Sequence, residues 1–168
     1  MTELLLGEKL IQLISFKLGS EAYCIPINKV LEVNRKVKIT LVPNSPDFIE
    51  GIINLRGQIV PVIDLAKRFS LISDQHLSSA SESRIVIVES SQQRVGFIVD
   101  EVQEVMRLHE SSVKAAPALL ATQIERDYIA GVVVKGEALI IILDVDRVFA
   151  SHELSALGQV SKPSEEIL

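Results

Sequence analysis

The chain has no tryptophan, one cysteine, and only two tyrosines and five phenylalanines among its 168 residues. With 4% aromatics there is little material for the stacking platforms on which barrels bind single-stranded nucleic acid. A formal net charge of −5, with no basic stripe, also argues against phosphate binding, which needs clustered Lys and Arg. Cys24 has no partner for an internal disulfide. It lies in an apolar stretch and reads as a buried, inert thiol in a reducing compartment. Long apolar runs are missing too. Ala138 to Leu143 is the densest, far short of the roughly 20 residues of a membrane-spanning helix. Glu3, Glu8 and Lys9 leave no room for a signal-peptide core. A soluble, unexported protein is expected.

Catalytic chemistry is equally thin. His76, His109 and His152 fall in a linker, a loop and a tail, without metal-ligand spacing. Asp100, Glu101 and Glu104, and likewise Asp144 and Asp146, read as solvated turn or helix-cap carboxylates. No glycine-rich phosphate loop or nucleophile elbow occurs. No catalytic residue, metal site or cofactor is expected, and the chain is read as a non-enzyme.

What the chain does have is 48% hydrophobic residues, mostly Ile, Val and Leu, whose β-branched members suit pleated half-buried surfaces. Apolar and polar residues alternate at Ile14, Phe16 and Leu18, predicting a strand over 9–18. A strand through Tyr23, Ile25 and Ile27 follows, then a bent one from Val30. Ser45 is expected to cap one helical turn at Pro46 to Glu50. Residues 51–64 read as two strands about a tight turn at Arg56-Gly57, and Asp64 as the cap of a short helix to Phe69. Strands are expected again at 84–89, 94–99, 100–108, 127–134 and 138–144, with a short helix to Phe149.

Those later strands repeat the earlier ones. At an offset of 72, Phe16 meets Val88, Ile25 meets Phe97, Asn28 meets Asp100, and Glu32 meets Glu104. At an offset of 80, Asp47-Phe48-Ile49 meets Asp127-Tyr128-Ile129, Gly51 meets Gly131, and Asp64 meets Asp144. The change of 8 marks a longer loop near 109–120. Each copy carries about five strands, so two small barrels packed side by side, meeting along a groove, are the simplest architecture. The expected division is an N-terminal arm at 1–8, a first lobe with linker at 9–82, a second lobe at 83–150, and a tail at 151–168. Strand exchange between lobes is left open.

The copies differ in chemistry. Pro26 and Pro61 face Ile98 and Ile141, which suggests protected edges in the first lobe and a larger apolar docking face in the second. Arg56 has no guanidinium counterpart, while Glu32 has Glu104. Whether Glu32 and Arg56 form a buried pair or an exposed one stays open.

Several runs resemble the chemotaxis coupling protein CheW family. They are Ser15-Phe16-Lys17-Leu18-Gly19, Lys29-Val30-Leu31-Glu32-Val33, the stretch from Pro46 through Asn54-Leu55-Arg56-Gly57 to Pro61-Val62-Ile63-Asp64-Leu65, and Arg94-Val95-Gly96-Phe97-Ile98-Val99-Asp100. The similarity covers roughly residues 9–150. It implies an all-β fold of two tandem SH3-like five-stranded barrels, with short helical turns and a C-terminal helix or tail. It also implies a cytoplasmic adaptor at membrane-associated receptor arrays, joining the regulatory domain of the histidine kinase CheA to the cytoplasmic tip of methyl-accepting chemoreceptors. A coupling protein of a pilus-motility or other chemosensory pathway is the alternative. By the same resemblance the receptor-binding residues are Ile27, Val30, Glu32, Asn54, Arg56, Gly57, Val99, Val102 and Val105. Kinase-binding residues are not assigned.

Overall fold

The computed structural model describes residues 9–35, 37–46, 48–69, 83–90, 92–115 and 128–150. The expected linker, most of the long second-copy loop and the tail lie outside them. Ten strands form: β1 Leu10–Leu18, β2 Glu21–Pro26, β3 Val30–Arg35, β4 Ile49–Leu55, β5 Gln58–Asp64, β6 Arg84–Ser90, β7 Gln93–Val99, β8 Glu101–His109, β9 Ile129–Lys135 and β10 Ala138–Leu143. Two short helices follow β5 and β10: α1 Leu65–Arg68 and α2 Val145–Ala150.

The strands make two five-stranded sheets, in the orders β8-β1-β2-β10-β9 and β3-β6-β7-β5-β4. When each strand is replaced by its repeat counterpart, the second order becomes the first. The repeat is therefore a repeat of topology. Lobe membership, however, follows the hydrogen bonds and not the repeat boundary. One sheet is made wholly from residues 30–99, and the other takes β1 and β2 from the start of the chain and β8 to β10 from its end. The division expected at residues 82 and 83 falls inside the first of these, between α1 and β6.

Side chains alternate between the two faces of a strand, and β1, β2, β5, β6 and β7 are covered on both, so both of their faces are apolar. Ile85, Ile87, Val60, Val62 and Ile98 fill one sheet's own interior, while Leu13, Cys24, Met106, Val133 and Ile142 fill the other's. The opposite faces, carrying Phe16, Tyr23, Ile63, Val86, Val88 and Phe97, meet in a single core shared by both sheets. Cys24 is fully buried as expected, and burial pushes its thiol up to about 12.

Glycines mark where backbone crosses backbone. Residue 40 bridges to Ile52 over Gly51, and residue 114 bridges to Val132 over Gly131. A Cβ on Gly51 would lie 2.1 Å from the Thr40 carbonyl oxygen, and Gly51 has φ +146. Thr40 and Lys114 stand 74 apart, so most of the insertion in the second copy lies beyond Lys114.

Local expectations met mixed outcomes. The Asp64 carboxylate accepts the Lys67 N–H at 3.2 Å, capping α1, and Asp144 accepts the Arg147 N–H at 3.1 Å in the equivalent place. Ser45 instead donates its hydroxyl to the Val42 carbonyl at 2.8 Å. The turn after it closes through the Ile49 N–H to the Pro46 carbonyl, with no capped helix. Pro26 and Pro61 are not on edge strands. Each sits where a ladder starts or stops: β5 pairs with β7 only from Val62 onward, whereas β10 pairs with β2 already at Ile140 and Ile141. His109 ends β8, opposite Leu10, and is not in a loop. Where the two copies meet, the Arg68 guanidinium lies over the repeat-equivalent rings of Phe48 and Tyr128, at 5.3 and 5.0 Å, and donates to the Tyr128 hydroxyl at 2.5 Å.

Two glycine substitutions separate crowding from turn strain. Gly51→Ala should lower unfolding stability by about 3 kcal/mol, because Thr40 cannot withdraw without breaking its bridge. Gly136→Ala, in open space at φ +64, should cost only about 1 kcal/mol. Urea unfolding of both variants checks the difference.

Candidate docking surface

A chain that serves two sheets must cross between them, and it does so twice. The first crossing is a 3-10 turn at Ile27–Lys29 between β2 and β3, and the second is Asp100 between β7 and β8. Four of the nine candidate receptor-binding residues cluster at these crossings. Ile27 lies in the turn, Val30 and Val102 are half-buried against the shared core, and Val99 ends β7. Val99 has 0% of its surface exposed, so it supports the surface from beneath. Asp100 is buried as well, unlike the solvated carboxylate expected of it. It accepts the Gly19 N–H at 2.6 Å, and its own N–H donates to the Lys17 carbonyl at 3.0 Å.

A second group gathers at the tip of the β4–β5 hairpin. Leu55 pairs with Gln58, so Arg56 and Gly57 are the two central turn residues, with φ of 50 and 87. Positive φ at both positions is the two-residue turn that fits strand twist, and Arg56 adopts it at a steric cost a glycine would avoid. Asn54 Oδ1 accepts the Gly57 N–H at 2.8 Å and pins the turn. Arg56 then reaches back to Glu32 on edge strand β3 in a two-pronged contact, Nη1 to Oε1 at 3.2 Å and Nη2 to Oε2. The pair spans from one edge strand of the sheet to the hairpin of the other edge strand. It is not buried: the Arg56 side chain is 72% exposed and that of Glu32 22%. The hydrogen bond from Arg56, with a second from Asn34, holds the Glu32 carboxyl below its usual range.

Val105, the ninth candidate, lies on β8 of the other sheet, half exposed. It borders a cleft of about 350 Å³ with Met106, Leu108, Val133 and Val134. Beside it Glu104 pairs with Lys135, so the second copy keeps the edge-to-hairpin ion pair with a different cation one turn position earlier. The apolar surface does not concentrate in the second copy. Leu31, Val33 and Ile59 are exposed along with Val105, Val134 and Leu139, so both sheets present apolar side chains to solvent.

Four polar contacts were not foreseen. Glu89 and Arg94 face each other across the β6–β7 hairpin and pair at 3.0 Å, while Arg94 also reaches Gln58. A cross-strand count back from the turn exposes the first of these. Lys29 Nζ lies 3.0 Å from Asp146 Oδ1, and Ser90 Oγ donates to the same oxygen at 2.6 Å. Those partners are remote in sequence and leave no local signal. The Ser90 hydroxyl, then Lys29, hold the Asp146 carboxyl below its usual range. Among the described residues no group of three or more His, Cys, Asp or Glu could hold a metal ion, and no helix is long and apolar enough to cross a membrane. His76 and His152 lie outside the described residues.

A family model described as a CheW-like domain matches residues 12–153, both sheets and both crossings together. The chain belongs to the CheW-like family. Chemotaxis protein CheW of Klebsiella aerogenes is 35% identical over 147 residues, covering 88% of this chain and 86% of that protein. Chemotaxis protein CheW of Bacillus subtilis is 36% identical over 147 residues, with coverage of 87% and 89%. Among solved structures, the scaffolding protein TtCheW from Thermoanaerobacter tengcongensis superposes with a TM-score of 0.77 at 39% identity. That match covers 86% of this chain and 91% of that one. The fold is that of the CheW scaffold, two SH3-like barrels side by side.

The Glu32–Arg56 pair has a definite pH signature. Its folded pKa is lowered from 4.5, so the stability it brings is complete above that value and is lost as pH falls through the lower folded one. Wild type and Glu32→Gln should therefore differ in urea midpoint at pH 7 and converge on acidification below the folded value.

Proposed function

We propose that the chain is a chemotaxis coupling adaptor that holds the regulatory domain of the histidine kinase CheA and the cytoplasmic tip of methyl-accepting chemoreceptors in one geometry. One observation carries this reading: a CheW-like scaffold in which all receptor-facing candidates but Val105 gather at two chain crossings and at one pinned hairpin with its edge-strand partner. Such positions move little when a partner arrives, so docking needs little reordering. The adaptor works at the cytoplasmic face of receptor arrays and carries out no chemistry of its own. Its contribution is differential contact. A receptor tip that shifts against Ile27, Val30 and Val102 changes what the attached kinase experiences, and so biases the kinase's equilibrium. The relatives compared bear chemotaxis names, and no feature favours a pilus-motility output.

Arg56 is the residue on which this reading is most exposed. It is held in a costly backbone conformation, its guanidinium is largely open to solvent, and its pair with Glu32 fixes its direction. Arg56→Ala should weaken binding to a soluble receptor-tip hairpin by roughly tenfold or more, with binding to the isolated kinase regulatory domain changed far less. Calorimetry with both probes checks this. A folded Arg56→Ala variant that binds the receptor tip as wild type does would remove Arg56 from the docking surface.

A further inference from the structure

The two crossings are fastened by different chemistry. At Asp100 both bonds engage the main chain of the first hairpin, and the carboxylate is buried. The Ile27–Lys29 turn has no buried residue and no side-chain cap, and it closes on itself through the Val30 N–H to the Ile27 carbonyl. Besides the strand pairings on either side of it and its packing on β1 and β6, the turn is fastened by Lys29, bonded to Asp146 on α2. Asp146 is aimed at it by the Ser90 hydroxyl, which is nearly buried at the end of β6. The repeat offers no second version. The residue 72 after Lys29 is Glu101, the one 72 before Ser90 is Leu18, and the one 80 before Asp146 is Ala66.

We propose that Lys29 and Asp146 are positioning residues that set the Ile27–Val30 edge of the docking surface. The proposal rests on the adaptor reading above and names what orients one side of that site. Val30 stays paired with Val88 and packed on the shared core, so a turn released from Asp146 would loosen Ile27 and the Val30 N–H bond that closes it. A partner would then have to order them on binding, and affinity would fall. With the Lys29 side chain 31% and that of Asp146 57% exposed, this clasp is screened by salt. The buried Asp100 fastening is not. One border of the surface is thereby fixed and the other is adjustable.

The test uses the whole chain with Lys29→Met, Asp146→Asn and the double variant. Amide exchange is read first, on the free protein. The Val30 amide should exchange roughly two- to fivefold faster in each variant, while the Gly19 amide bonded to Asp100 keeps its wild-type rate. Binding to a soluble receptor-tip hairpin should fall by a similar factor in both single variants and by no more in the double. The gap from wild type should close in 1 M salt. Unchanged Val30 exchange would overturn the clasp, as would unchanged tip affinity or losses that multiply in the double variant. A wild-type protein that does not bind the tip would sink the adaptor reading itself, and the positioning role with it.

Discussion

Between the two sheets, Phe16, Tyr23, Ile63, Val86 and Phe97 form one apolar layer that neither barrel completes alone. Filling it sets most of what is observed elsewhere. Strands that line it must also line their own barrel, so they are apolar on both faces and rich in Ile and Val. Small or bent elements are pushed to the periphery, where Asp64 and Asp144 each start a short helix that drops further apolar residues onto the layer. The Arg68 guanidinium, lying over Phe48 and Tyr128, closes the layer at the point where the two copies approach each other.

Much of this was legible in the residues, and the reasons for the exceptions are physical. Alternation located the strands and the offsets of 72 and 80 exposed the repeat, because a buried face constrains every second residue. Alternation says nothing about which strand lies alongside. β1 reads the same whether its neighbour is β3 or β8, and so the lobe boundary could not be read. The Glu32–Arg56 contact was readable as a pairing of opposite charges in one lobe. Its exposure depends on which side of the hairpin faces solvent, and that is a tertiary fact. Asp100 was misjudged because its partner is a backbone N–H on a turn in the other copy. Lys29 and Asp146 were invisible for a similar reason, since charges so far apart in the chain meet only after the sheets have formed.

The candidate surface joins parts with different mechanical character. Val30, Val99 and Val102 belong to strands bonded into the sheets, and Val99 is sealed within the shared layer. Arg56 projects from a two-residue turn held by Asn54. Val105 stands apart, further along β8 than Val102 and beside a cleft. The repeat supplied two similar scaffolds, and the differences at the hairpin tips and crossings give each border of the surface its own chemistry.

The interleaved order of strands also governs how the molecule can be made. The barrel built from residues 30–99 is continuous in the chain, with its longest-range pairing that of β3 with β6. The other has its first hairpin synthesised early, yet β1 waits for β8 and β2 waits for β10, across the whole of the first barrel. Closing that gap loop by loop would be slow, since distant contacts need prior loop closure. A formed central barrel would shorten that gap, because Pro26 and Glu101 flank its first and last strands in the chain. The chain order thus places one barrel, complete in its own stretch of sequence, between the two parts of the other.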